Sequence, residues 1–182
     1  MTGQGLKRLC FKIFLFLALS TVLFSENSAF AIDRHEAMGR AIVHAGKGEF
    51  DKAIKIYDQL INDDPRAAEL YVNRGMVHLQ SGRLDRAEKD FRMTINLNPN
   101  FAVGYESLGI IQLKKTDYSS AIELFSKALA IDPKLGSSYN NRGLAYFHLK
   151  KYAKSLRDLE KAKEMEVPVD EVVFKKVKHL AQ

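Results

Sequence analysis

Residues 71–91, "YVNRGMVHLQSGRLDRAEKDF", decide the fold because the rest of the chain repeats their pattern. Five sets of residues recur along the chain at a spacing of 34 positions. They are Pro65, Pro99 and Pro133; Gly75, Gly109 and Gly143; Tyr71, Tyr105 and Tyr139; Ala53, Ala87 and Ala121, continued by Ser155; and Tyr57, Phe91 and Phe125, continued by Leu159. Self-similarity at one fixed period indicates an array of stacked structural repeats.

Each unit of the array predicts two helices. In the second unit, apolar residues at helical spacing run over 68–81 and again over 86–97, with a turn between them. Pro99 then closes the unit because proline cannot continue a helix. Gly75 on the first helix and Ala87 on the second are small, so we expect the two helices to approach closely at that point.

This pattern resembles the tetratricopeptide repeat family. An aromatic residue, a glycine, an alanine, a second aromatic, a second alanine and a proline follow one another in order between Tyr105 and Pro133. The resemblance implies an all-α, right-handed superhelical solenoid of helix-turn-helix units. The implied units are residues 34–67, 68–101, 102–135 and 136–169, followed by a capping helix at 170–182.

The end units depart from the pattern, as terminal units of repeat arrays do. In the first unit, Ala37 and Ala41 stand in the aromatic and glycine positions. After the fourth unit, Asp170 is a suitable N-cap for the closing helix, and Val173, Val177 and Leu180 form its apolar stripe. Lys175, Lys176 and Lys178 of the same segment are expected to face solvent.

Residues 1–31 are predicted to be a secretory signal peptide. Three basic residues precede an apolar run at 13–24, and Ala29-Phe30-Ala31 matches an A-x-A cleavage site. The run is shorter than the roughly 20 residues of a membrane span. We therefore expect cleavage after Ala31 and a periplasmic or secreted protein. The alternative is an uncleaved N-terminal membrane anchor. The single cysteine, Cys10, lies in this segment, so no intramolecular disulfide is expected.

Composition and motifs argue against several functional classes. The net charge of +6 is spread along the chain rather than clustered, which does not favour nucleic-acid binding. The sequence carries no phosphate-binding loop and no H-E-x-x-H, so neither an enzyme nor a cofactor is predicted. His44 and His78 share a repeat position and could begin a zinc site. That position continues as Gln112 and Tyr146, which favours a role in helix packing and predicts no metal.

Arg74 and Asp90 could be mistaken for a catalytic pair. One period later their positions hold Leu108 and Leu124, and one period after that they hold Arg142 and Asp158. The two positions change from charged residues to leucines together. This predicts a structural ion pair between the two helices of a unit rather than a catalytic pair. The first unit, with Arg40 and Ile56, does not follow this rule.

The family resemblance implies a protein–protein interaction scaffold or adaptor. The expected ligand is a peptide or an amphipathic helix of a partner protein, bound in the concave groove. The predicted groove residues are Val72, Asn73, Met76, Leu79, Val103, Glu106, Ile110, Leu113, Asn140, Asn141, Leu144 and Phe147. The subclass that clamps a peptide's C-terminal carboxylate needs basic groove residues, and Met38, Val72 and Glu106 occupy such places here. The alternative function is a self-associating structural subunit of an envelope assembly, a homodimer.

Overall fold

The structure, a computed structural model, describes residues 33–182. The predicted signal peptide at 1–31, its cleavage site after Ala31 and Cys10 lie outside the described residues. Within 33–182 all regular secondary structure is helical. The helices are α1 (33–46), α2 (Phe50–Asp63), α3 (Ala68–Gln80), α4 (Leu84–Leu97), α5 (Ala102–Lys114), α6 (Tyr118–Ile131), α7 (Gly136–His148), α8 (Tyr152–Glu164) and α9 (Glu171–Leu180). No helix in this range is long and apolar enough to cross a bilayer.

The helices stack as consecutive antiparallel pairs, which confirms the all-α solenoid of helix-turn-helix units. Within a unit α3 packs on α4, α5 on α6 and α7 on α8, and each second helix also packs on the first helix of the next unit. The first helices α3, α5 and α7 contact one another directly. Direct contact between successive first helices places them on the inner, concave side of the array.

A left-handed residue makes the tight turn between the helices of every unit. Gly48, Gly82, Thr116 and Lys150 share one repeat position and have φ angles of 76°, 77°, 59° and 58°. Because this one residue reverses the chain, α4 begins at Leu84 rather than at the predicted residue 86. Threonine and lysine hold this conformation against the steric cost of a Cβ in the left-handed region, so the turn is imposed by the packing of the two helices.

The glycine column leaves room for the side chain that fills each unit's centre. A Cβ built on Gly75 would lie 2.6 Å from Cε1 of the Phe91 ring, and one on Gly109 would lie 2.7 Å from Cε1 of Phe125. Both rings are fully buried. The two helices therefore meet through an aromatic ring laid against glycine backbone, which is why aromatic and glycine recur together.

The closing helix α9 packs on α8 and ends the array. The Asp170 carboxylate accepts hydrogen bonds from the backbone N–H groups of Val172 and Val173 at 2.8 and 3.0 Å, as an N-cap does. Val177 is fully buried, whereas Leu180 is exposed in the last turn. The predicted apolar stripe is therefore wrong at Leu180, which stays in contact with solvent at the end of α9.

Candidate functional site

Each of the two arginine–aspartate pairs is a bidentate ion pair. Arg74 donates from Nε to Oδ2 of Asp90 at 2.9 Å and from Nη2 to Oδ1 at 2.7 Å. Arg142 donates to Asp158 in the same way, at 2.7 and 2.9 Å. Both aspartates are buried. The two parallel hydrogen bonds raise the pKa of the Arg74 guanidinium above its ordinary value, so the pair stays ionised and serves to join α3 to α4.

The same arginines also tie each unit to the one before it, a contact that was not predicted from the sequence. Arg74 donates from Nη1 to Oδ1 of Asp58 on α2 at 2.6 Å, and Arg142 donates from Nη1 to Oγ of Ser126 on α6 at 3.0 Å. The available signal was spacing, since Asp58 and Ser126 lie 16 residues before their arginines, as the aspartate partners lie 16 residues after. The guanidinium thus joins three helices, and Nε, Nη1 and Nη2 each donate to a side chain of the protein itself.

His78 is buried beside this junction. Its Nε2 lies 3.9 Å from Oδ2 of Asp90, and its Nδ1 is buried without a hydrogen-bond partner among the described residues. Burial lowers the pKa of the imidazole; Asp90 opposes that shift, while Arg74, Arg86 and Arg83 add to it. His78 is therefore held neutral and packs as a core residue. Among residues 33–182 no group of His, Cys, Asp or Glu side chains is arranged to hold a metal ion.

The lowered pKa of His78 predicts a pH dependence of stability. The folded-state pKa lies below the unfolded value of 6.5, so the unfolded chain binds the proton more tightly. The part of the free energy of unfolding that depends on a neutral His78 should therefore be complete above about pH 6.5. It should decrease as the pH drops below that value. We expect urea midpoints to decrease between pH 7 and pH 5.

The matched variant is His78→Gln, which installs the residue found one period later at Gln112. It should flatten the decrease between pH 7 and pH 5. A variant that loses as much stability over this range as the parent would show that His78 is not the group responsible.

The predicted groove residues lie on α3, α5 and α7, the inner helices. Met76 and Val103 are the most exposed, at 37% and 40%, while Leu79, Ile110, Leu113, Leu144 and Phe147 are half-buried. Val72 was predicted to line the groove, but the structure buries it. It is only 5% exposed and packs in the core cluster with Leu108 and Ile111, because the following unit's first helix covers it. It offers a partner almost no surface.

The polar groove residues differ in whether their side chains already have hydrogen-bond partners within the protein. Glu106 accepts hydrogen bonds from Oγ of Ser137 at 2.5 Å and of Ser138 at 2.9 Å, so its carboxylate is committed to the next unit. Asn140 has a buried Oδ1 that makes no hydrogen bond within the described residues. Asn73 and Asn141 remain partly exposed on the inner helices. They are the amides of this surface best placed to meet a ligand.

The C-terminal end of the groove is aromatic and carries a positive charge. Phe147 contacts the His148 ring edge-on, and the His148 ring is stacked on Tyr118 with centroids 4.4 Å apart. Nζ of Lys176, on α9, lies 5.6 Å from the centroid of the Phe147 ring. The closing helix therefore supplies a side chain to the groove as well as covering α8, a contribution that was not predicted from the sequence.

Three family models, each described as Tetratricopeptide repeat, match the chain at residues 38–100, 102–135 and 124–157. Together they extend from residue 38 to residue 157. A search of curated protein sequences gave no significant match.

Solved structures with the same architecture are numerous. A crystal structure of MamA has a TM-score of 0.65 at 23% identity, over 73% of this chain and 78% of that one. TTC0263, a thermophilic TPR protein in Thermus thermophilus, has a TM-score of 0.65 at 17% identity, over 73% and 74%. The first TPR of Spaghetti (RPAP3), bound to the HSP90 peptide SRMEEVD, has a TM-score of 0.60 at 19% identity, over 64% and 92%. At these identities the likeness shows the fold alone.

Proposed function

Because the chain belongs to the tetratricopeptide repeat family, we propose that it is an exported scaffold that binds a segment of a partner protein in its concave groove. Proteins of this family are generally scaffolds rather than enzymes. The observation that carries the proposal is the apolar character of the inner helices. Met76 and Val103 leave more than a third of their surface in contact with water on the side where the first helices meet.

The groove's apolar residues lie on the first helices of three units, and these helices contact one another. Each of α3, α5 and α7 contributes aliphatic, methionine or phenylalanine side chains that are only partly covered by neighbouring helices. A contiguous, partly exposed apolar surface on a folded domain usually marks an interaction site. Methionine suits such a surface because its flexible side chain adapts to different ligand shapes. These features favour the apolar face of an amphipathic helix, or an apolar peptide, as the ligand.

The groove chemistry argues against an acidic ligand. One structural neighbour holds a peptide that ends in acidic residues, SRMEEVD, which supports peptide binding by this fold. In this chain Met38, Val72 and Glu106 occupy the places where a carboxylate clamp needs basic residues, and Glu106 is itself negative. We therefore propose an apolar ligand oriented by the amides of Asn73 and Asn141, not a C-terminal carboxylate.

The proposed location outside the cytoplasm rests on residues 1–31 of the sequence. A basic start, an apolar run and Ala29-Phe30-Ala31 support export with cleavage before Ile32. N-terminal sequencing of the protein purified from its native host should begin at Ile32. Membrane-bound protein that still begins at Met1 would contradict cleavage and indicate an anchored scaffold.

Two matched double variants test the groove. Met76→Glu with Val103→Glu places two charges on α3 and α5, at residues 37% and 40% exposed. Met93→Glu with Ile131→Glu places two charges on the second helices α4 and α6, at residues 40% and 37% exposed. The readout is capture of partner proteins from the native host's cell envelope by the tagged chain, with circular dichroism to verify folding.

We expect the groove variant to lose at least tenfold in partner capture and the second-helix variant to keep it. The reason is that a buried unpaired carboxylate in an apolar interface costs several kcal/mol. A folded groove variant that captures partners as well as the parent would place the binding surface elsewhere.

A further inference from the structure

The N-terminal end of the solenoid exposes a helix face that later units bury. Val43 on α1 is 55% exposed, whereas Val77, Ile111 and Ala145, at the same repeat position, are 4%, 0% and 0% exposed. In those units the second helix of the preceding unit packs against this face. The first unit keeps the apolar residue suited to that contact, although no preceding unit is present in the described chain.

Arg40 likewise lacks, within the described chain, the contact that its repeat position makes in later units. It stands at the repeat position of Arg74 and Arg142, each of which reaches an acceptor on the preceding unit's second helix, Asp58 and Ser126 respectively. Arg40 instead leaves 60% of its side chain exposed, with Glu36 at 4.0 Å as its nearest carboxylate. A cavity of about 550 Å³ between α1 and α2 opens beside it, lined in part by Ala37 and Ile56.

The other end of the solenoid is closed. The α9 helix packs on α8 where a further unit would dock, and its lysines 175 and 178 face solvent. Head-to-tail stacking of copies would have to displace α9. Because α9 occupies that end, the exposed face of α1 is instead suited to a closed, two-fold contact in which both copies use the same surface.

We propose that the exposed face of α1 is a homodimer interface in which the α1 helices of two copies pack antiparallel about a two-fold axis. Val43 then lies against Gly39 of the second copy. The position is open, because a Cβ built on Gly39 meets nothing within 4 Å. Ile42 of the second copy lies opposite Arg40, beside the cavity, where the arginine's methylene stem covers apolar surface.

The charges on α1 complement one another in this arrangement. Antiparallel pairing that sets Val43 on Gly39 brings Glu36 within one residue of Lys47 of the second copy, and the two-fold axis makes this contact twice. Both residues are exposed in the single chain. In a parallel arrangement Glu36 would face Glu36, so the charges favour the antiparallel one. The dimer surface lies on α1, whereas the groove residues named above lie on α3, α5 and α7, and neither proposal requires the other.

Sedimentation of the chain expressed from its full-length sequence, in the processed form that its host yields, tests the proposal. We expect a dimer for the parent, a monomer for Val43→Glu and a dimer for Val172→Glu. Val172 is the matched control because it is 77% exposed but lies on α9, at the opposite end. A monomeric parent at about 100 μM, or a dimeric Val43→Glu variant, would overturn the proposal.

Charge reversal tests the arrangement itself. Glu36→Lys alone and Lys47→Glu alone should each weaken the dimer at least tenfold, because like charges then face one another twice. The double reversal in one chain should restore the parent affinity. Failure of the double variant to recover would exclude the antiparallel pairing. The groove variant Met76→Glu with Val103→Glu should remain dimeric, so the failure of either proposal can be recognised separately.

Discussion

Replacing Asp90 by alanine is expected to destabilise the protein by about 3 kcal/mol, the cost of breaking a buried ion pair from one side. Asp90 is buried and receives two hydrogen bonds from Arg74. Without it, the guanidinium keeps only Asp58, a residue on the exposed surface of α2. Urea unfolding of the variant and the parent at pH 7 measures the difference.

The double variant Arg74→Leu with Asp90→Leu should lose less stability than Asp90→Ala. It installs the residues found one period later, Leu108 and Leu124, where the chain packs the same place with apolar side chains. Removing both charges together avoids a buried charge without its partner, which is why such replacements are often close to neutral. A double variant that loses as much as Asp90→Ala would show that the ion pair itself supplies stability that packing cannot replace.

Gly109→Val is expected to destabilise the protein by about 3 kcal/mol, the upper range for overpacking a core. Three ring carbons of Phe125 lie at 2.7, 2.9 and 3.0 Å from the position of the new Cβ. The ring is fully buried, so it has little room to move aside. Urea unfolding again gives the difference, and the loss should appear as a lower midpoint with an unchanged slope.

The control for this variant is Gly46→Val. Gly46 is also helical, in the last turn of α1, but a Cβ there meets nothing within 4 Å. Its effect should stay within about 0.5 kcal/mol, as for other surface substitutions. Equal losses for the two variants would mean that helix propensity, rather than the contact with Phe125, limits the residue at position 109.

The fold could be predicted because the residues that determine it recur at a spacing of 34 positions. Gly75 beneath Phe91 and Gly109 beneath Phe125 each require both residues of the pair, and the 34-residue repeat displays that requirement more than once. The turn residues are different. Thr116 and Lys150 take the same left-handed conformation as Gly48 and Gly82, but their side chains give no signal of it. There the packing of two helices overrides the local preference of the residue.

The site could be predicted only in part, because contacts between units depend on how the units stack. Sequence spacing indicated the Arg74–Asp90 pair, yet it did not show that Arg74 also reaches Asp58 on the preceding unit. Val72 was assigned to the groove because it lies on an inner helix, but the next unit buries it. Helical periodicity gives the face of one helix, while the rotation between units decides which of that face's residues stay exposed.

Photocrosslinking from a single inner residue tests the central claim most directly. A photoreactive amino acid at Ile110, half-buried on α5, should give a covalent adduct with the partner protein in the native host's cell envelope. The same amino acid at Met93, on the second helix α4, should give none. An adduct from Met93 with none from Ile110 would contradict binding in the concave groove.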